Sequence, residues 1–379
     1  VNLVRTWAVA RKEFLHVIRD PRSLGMGIAI PMLLLFLFGY ALSLDVDRVP
    51  LLVWDQDNSP ASREYLGRFT GSRYFSVIGF VDSYREIDSE INTAAGRTCM
   101  ALVIPVDFSR RLGSGRPPEV QVLVDGSDAN TAQIAMGYVE ALTGTYRQDL
   151  VLRKSALAGR VPPGLPVEQR QRVWFNQDLE SRNYIVPGLI AVIMMVIAAL
   201  LTSLTIAREW ESGTMEQVLS TPLKAWELII GKLFPYFTIG LFDVLLAVLM
   251  GEFLFQVPLR GSVFLLFGMA AVFLAGSLSL GILISIITRN QLLASQLAMV
   301  LTFLPAFLLS GFMYDIANMP VPVQAITHLV PARYFVSLLK GIYLKGAGLE
   351  ILYFEAVLLG VFAVAMLLVA RLKFRKRLT

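Results

Sequence analysis

Six stretches of the chain are apolar over about twenty residues each, while the long segment between the first two alternates short apolar and polar runs. Leu24–Leu44 carries no charged residue. At ~1.5 Å per residue it spans roughly 30 Å, the thickness of a bilayer's hydrocarbon core. Tyr184–Ala207, Leu233–Phe255, Val263–Thr288, Leu292–Met313 and Ile351–Ala370 meet the same test. The pattern predicts an α-helical polytopic membrane protein with six transmembrane helices, the first within residues 23–44 and the others within 184–370.

Residues 45–183 read as an inserted α/β domain. Val49–Trp54, Tyr74–Phe80, Met100–Ile104 and Glu119–Val124 have the length and composition of strands. Asn58-Ser59-Pro60 supplies a cap and a helix-starting proline for Ala61–Phe69, and an amphipathic helix is predicted near Asp82–Ala95. Asp125-Gly126-Ser127-Asp128 turns the chain and caps a long helix to about Ser155, which the proline-rich Val161–Pro166 ends. Cation binding at Asp125 and Asp128 is the alternative to capping, the commoner use of such a turn.

Composition supports the membrane assignment. Of 379 residues, 55% are hydrophobic and 17% charged, and the mean hydropathy is +0.60, too apolar for a soluble or disordered chain. The net charge of +5 does not indicate a nucleic-acid partner. Residues 45–183 hold 16 basic and 18 acidic side chains, so the positive excess belongs to the apolar remainder. Arg5, Arg11, Lys12, Arg19 and Arg22 precede the first span, and Arg371, Lys373, Arg375, Lys376 and Arg377 crowd the 371–379 tail. Both termini are therefore expected in the cytoplasm and residues 45–183 outside it. A cleaved signal peptide ending near Ala41-Leu42-Ser43 is the other reading of the first span, but both its basic and its apolar parts are longer than such peptides use.

Chemistry-bearing patterns are sparse. One cysteine, Cys99, and two histidines, His16 and His328, give neither an intramolecular disulfide nor a His/Cys metal cluster. No HExxH or GxSxG motif is present, and Gly159 to Gly164 is followed by Leu165-Pro166 where a phosphate loop needs Lys and then Ser or Thr. No catalytic set, bound cofactor or metal is expected on this chain. Asp243 lies mid-span, where an aspartate costs on the order of 2.5–3.5 kcal/mol on insertion scales, so it must face protein or water. A substrate or proton pathway and a hydrogen-bonded contact between helices are the two readings. Pro31, Pro187, Pro235 and Pro305 can kink their helices.

The most informative stretch runs from Ala207-Arg208-Glu209-Trp210-Glu211-Ser212-Gly213 through Thr214-Met215-Glu216-Gln217-Val218-Leu219-Ser220-Thr221-Pro222. Glu209, Ser212 and Glu216 share one face at helical spacing, which suits either a docking helix or a solvated connector. This run resembles the signature after the second span of ATP-binding-cassette export permeases of the type 2 class, the type V exporters. Trp174-Phe175-Asn176 with Tyr184-Ile185-Val186-Pro187-Gly188 is similar to the same family, as is Met319-Pro320 through Pro331-Ala332-Arg333-Tyr334-Phe335 to Lys345-Gly346. The drug-export branch, with its large domain between spans one and two, is the nearest match. Gln177 stands where the family usually has proline.

The resemblance implies that 208–222 is a coupling helix seated on a separate ABC ATPase subunit, with Glu209, Gly213, Thr214 and Glu216 as contacts. It implies a cytoplasmic elbow helix in 1–22, where Leu3, Trp7, Ala10, Phe14 and Ile18 form an apolar stripe. It also implies outer re-entrant helices in 314–349, in which Arg333 would meet a lipid phosphate or substrate, or pair structurally with Asp315 or a carbonyl. The implied assembly is a homodimer or paralogous heterodimer in the bacterial inner membrane with two ATPase copies that bind ATP and Mg. Docking of a periplasmic adaptor and outer-membrane channel stays open. Export of amphipathic or lipophilic drugs, dyes or lipids is the implied function. A membrane sensor is the rival, but no inside loop is long enough for an output domain, and a membrane-embedded enzyme lacks a recognisable catalytic constellation.

Overall fold

The structure, a computed structural model, describes residues 2–20, 24–42, 48–93, 100–157, 174–176 and 180–374. Arg22, Cys99, the glycine- and proline-rich stretch 159–166, Gln177 and the basic tail beyond 374 lie outside the described residues. The chain divides into two compact units, one from residues 1–43 and 173–379, the other from 44–172.

In chain order the first elements are α1 (Leu3–Arg19), α2 (Ile30–Ala41, entered through a π-helical turn at Gly25–Ala29), β1 (Val49–Asp55), α3 (Pro60–Thr70) and β2 (Phe75–Phe80). They continue as α4 (Tyr84–Thr93), β3 (Met100–Ile104), α5 (Phe108–Gly113), β4 (Gln121–Val124) and α6 (Ala129–Leu157). Then come α7 (Ser181–Glu211), α8 (Thr214–Ser220), α9 (Ala225–Leu249), α10 (Val263–Thr288) and α11 (Gln291–Leu309). The chain closes with α12 (Val321–Thr327), α13 (Pro331–Lys340) and α14 (Leu349–Lys373).

Among the described residues, five helices are long and apolar enough to cross a membrane: α7, α9 with its π-helical extension to Leu254, α10, α11 and α14. The first expected span is shorter than its apolar run. Its regular helix stops at Ala41, and Pro31 stands just after the π-helical turn instead of kinking a long helix. Pro187, Pro235 and Pro305 do lie inside helices.

α7 is the centre of this unit and packs against α2, α9, α10, α11 and α13. Its contact with α10 is close because Gly281 has no side chain: a Cβ there would run into the Ala199 carbonyl oxygen and the Thr202 hydroxyl. Thr202 Oγ1 spans the same contact, donating to the carbonyls of Ala198 and Leu278 at 2.9 Å each. Phe273 stacks on Phe335, joining α10 to α13 with centroids 4.1 Å apart. α11 leaves Leu297, Val300, Leu301 and Leu304 exposed, and α14 leaves Ile351, Phe354, Val357 and Val361 exposed. Apolar surface on that scale fits lipid or another subunit, not water.

Residues 44–172 form a four-stranded sheet of order β2-β1-β3-β4. β1 pairs in parallel with β2 and β3, and β4 runs antiparallel to β3. One sheet face is covered by α3 and α6, where Tyr65, Phe69, Ala135 and Val139 join Leu51, Val53 and Leu102. The other is covered by α4, whose Ile87 packs on Leu52 and Val103. The expected cap is present: Asp128 accepts from the Thr131 amide at 3.2 Å, and Ser127 donates its amide and hydroxyl to Asp125. The hydrogen bonds from Ser127 hold the Asp125 carboxyl below its ordinary value. Among the described residues no group of three or more His, Cys, Asp or Glu side chains is placed to hold a metal.

Candidate functional site

The stretch 208–222 is not a single helix. α7 runs on through Glu211, Gly213 takes a left-handed conformation at φ 70°, and α8 starts at Thr214. Such a φ suits glycine because a Cβ would strain it. The turn breaks the helical register, so the expected common face of Glu209 and Glu216 is divided. Glu209 turns inward and is buried, whereas Glu216 and Gln217 point outward and are exposed. Thr214 binds back to the turn through the Ser212 hydroxyl at 2.9 Å.

Glu209 belongs to an ion cluster that joins three helices. Lys232 on α9 is 1% exposed, with its Nζ 2.7 Å from Glu13 Oε1 of α1 and 3.0 Å from Glu209 Oε1. Lys12 of α1 makes a second ion pair to Glu209, at 3.1 Å. Beside the cluster, Arg208 lies 2.8 Å from His16 Nε2 and 3.8 Å from Asp20. Glu211 accepts the backbone amide of Gln291 at 2.9 Å, tying the end of α7 to the start of α11. Arg5 donates to the Pro222 carbonyl at 2.7 Å, so α1 also fastens the chain leaving α8.

α1 presents three faces at about 100° per residue. Ala10, Glu13 and Val17 are buried; Leu3, Trp7, Phe14 and Ile18 are an exposed apolar face. Ala10 therefore leaves the expected stripe. Roughly opposite the apolar face, Arg5, Ala8, Val9 and Lys12 line a groove of about 440 Å³, whose other wall includes Val218 and Leu223.

A second groove, of about 390 Å³, lies between α2, α7 and α11 and is walled by apolar side chains including Phe38, Ile193, Ile197, Leu201, Met299 and Phe303. Asp243 on α9 is close to it. It is 2% exposed, its Oδ1 has no hydrogen-bond partner, and it lines a void of about 10 Å³ together with Ile197, Leu201 and Tyr236.

Arg333, on α13, bonds to the Thr327 hydroxyl and to the Gln324 carbonyl at the end of α12. Asp315 instead caps the turn 316–318, accepting from Ala317 at 3.0 Å. The predicted residues thus fall in three separate places: Glu209, Gly213, Thr214 and Glu216 around the α7–α8 turn, Asp243 inside the bundle, and Arg333 at α12–α13.

Residues 21–372 match the family described as ABC-2 family transporter protein. The chain belongs to the ABC-2 transporter family. It is 38% identical to the "Probable multidrug ABC transporter permease YbhS" of Escherichia coli (strain K12), over 100% of this chain and 99% of that protein. It is 32% identical to the "Probable multidrug ABC transporter permease YbhR" of the same organism, over 92% of each. A more distant relative is ABC transporter G family member 20 of Dictyostelium discoideum, 19% identical over 92% of this chain and 47% of that protein.

In this ABC-2 chain the sequence reading missed Glu13 and Lys232. A signal was available: Lys232 interrupts an apolar run, as Asp243 does, and a lysine there needs a buried partner. Lys340 was also missed. Its Nζ sits 3.4 Å from the Tyr184 ring centroid and donates to the Gly311 carbonyl at 2.9 Å, and Tyr184 donates to the same carbonyl at 3.1 Å.

Proposed function

We propose that this chain is the membrane-spanning subunit of an ATP-driven exporter of amphipathic or lipophilic substrates such as drugs, dyes or lipids. It has six spans with both ends in the cytoplasm, and its α/β unit lies on the opposite side. Two copies, or one copy and a paralogue, associate and carry two separate ATPase subunits, which bind ATP and Mg. The multidrug names of the E. coli relatives support the substrate class.

The ion cluster at Lys232 is the observation that carries this reading. α8 is short and outward-facing, and the chain flanking it is fixed at both ends, through Glu209 to Lys232 and through Pro222 to Arg5. A push on α8 is therefore passed to α1, α7 and α9 together. With the apolar face of α1 in the membrane surface, its groove beside α8 faces the water, where an ATPase subunit docks. ATP binding closes the ATPase pair and moves α8. Because α7 contacts most of the bundle, its displacement shifts the spans around the apolar α2–α7–α11 groove, where substrate sits.

The test is co-purification of the permease with the proteins of its adjacent loci, in search of a stoichiometric ATPase. Glu216→Arg is expected to weaken ATPase binding while the permease stays folded. Glu209→Arg is expected to do so as well, and also to destabilise the permease by setting a second cation against Lys232. Unchanged binding and transport in both variants would contradict docking at α8.

A further inference from the structure

Three observations bear on what the inner groove accepts. The α2–α7–α11 groove is apolar throughout and, at about 390 Å³, has the size of a drug-binding pocket. Asp243 is buried behind it with Oδ1 unpaired. Ile197 and Leu201 line both the groove and the Asp243 void, so these two side chains form the partition between them.

A buried carboxyl group is held in its charged form only by a counter-charge or hydrogen-bond donors, and keeps its proton until one arrives. The void is otherwise lined by Met194, Ala198, Gly240, Leu274 and Leu278, and Tyr236 is its other titratable residue. Lys232 lies eleven residues before Asp243 on α9, roughly 16 Å along the axis, and is already bound to Glu13 and Glu209. From a second copy of this chain, α2, α10, α11 and the 351–370 stretch of α14 would bring no cation, since they contain neither Lys nor Arg. A lipid acyl chain offers none either.

We propose that Asp243 is the anionic subsite of the transport groove, reached by rotation of Ile197 and Leu201, and that it selects lipophilic monocations over neutral or anionic molecules of similar shape. This deepens the exporter reading and rests on it. The apolar walls hold the aromatic or aliphatic arms of the substrate, and the carboxyl group receives its charge. A delocalised cation suits the site best because it gives up little hydration on entering.

The experiment measures equilibrium binding of tetraphenylphosphonium and tetraphenylborate, a cation and an anion of matched shape, to the permease–ATPase complex in nanodiscs, corrected with protein-free nanodiscs. The wild type is expected to bind the phosphonium at least about tenfold more tightly than the borate. Asp243→Asn should weaken phosphonium binding about tenfold or more and leave borate binding as it was, while Asp243→Glu keeps the cation preference. Met299→Trp, which fills the groove, should reduce phosphonium binding.

Equal affinity of the wild type for the two ions would overturn the proposal, and that comparison needs no variant to fold. Unchanged phosphonium binding in Asp243→Asn would overturn it too, and unchanged binding in Met299→Trp would remove the groove from the site. Failure of the exporter reading looks different: cation-selective binding would persist without any coupling to ATP hydrolysis. Conversely, ATP-driven export of a neutral dye without cation preference would sink the subsite alone.

Discussion

Lys232 is held by two carboxylates with almost no contact with solvent. Removing it leaves Glu13 and Glu209 buried together without their shared cation. Lys232→Ala is therefore expected to cost about 3–5 kcal/mol, measured by thermal unfolding of the purified permease. Replacing the whole cluster with apolar residues of similar size, Glu13→Leu, Lys232→Met and Glu209→Leu, removes that desolvation cost, so the triple variant should melt at or above the wild type. It should nevertheless lose much of its substrate-stimulated ATPase activity, because the ion pairs joining the end of α7 to α9 are gone, although α1 keeps the polar links of Arg5 to Pro222 and of His16 to Arg208. Full stimulation in a stable triple variant would show that the cluster is structural alone. The exposed Glu216 behaves differently: its replacement touches no buried partner and should change binding without changing the melting temperature.

At the level of elements, the α7–α10 contact depends on Gly281. Adding one methyl group there, Gly281→Ala, must push α10 away from Ala199 and Thr202, an overpacking change typically worth about 1–3 kcal/mol. Gly268, on the same helix, has open space around its Cβ position, so Gly268→Ala is the matched control and should melt like the wild type. In the α/β unit Phe69 is fully buried, and Phe69→Ala should cost about 3–5 kcal/mol, read as earlier protease cleavage within residues 44–172. Much of this level was legible in the sequence. Met100–Ile104 is the strand predicted, and the others differ by one or two residues at their ends, because alternation and capping are local signals. The division of 208–222 into the end of α7 and a separate α8 was not legible. Glu209 and Glu216 are seven residues apart, which is one helical face only if Gly213 stays helical, and periodicity alone does not report its left-handed turn.

In the whole molecule, long-range pairings lay furthest from sequence reasoning. Glu13 and Lys232 are separated by 219 positions, and no local pattern pairs them. Asp243 could be marked as anomalous from its position in an apolar run, yet its place beside the α2–α7–α11 groove depends on how three helices pack. The apolar runs themselves were plain, and the five long helices fall on five of the six stretches read from the sequence. The molecule that results joins a short helix with an exposed face, through the Gly213 turn, to the central helix of an apolar bundle, and a buried ion cluster ties the end of that central helix to α1 and α9. In the proposed exporter, this is the route by which a separate ATPase subunit moves the membrane spans. The direct measurement is ATP-dependent movement of a lipophilic dye by the permease reconstituted in proteoliposomes with its ATPase. The wild-type complex should transport dye only with ATP and Mg, and Glu216→Arg should lose most of that transport while the permease remains folded. Dye movement independent of the ATPase, or a Glu216→Arg complex as active as the wild type, would contradict the account.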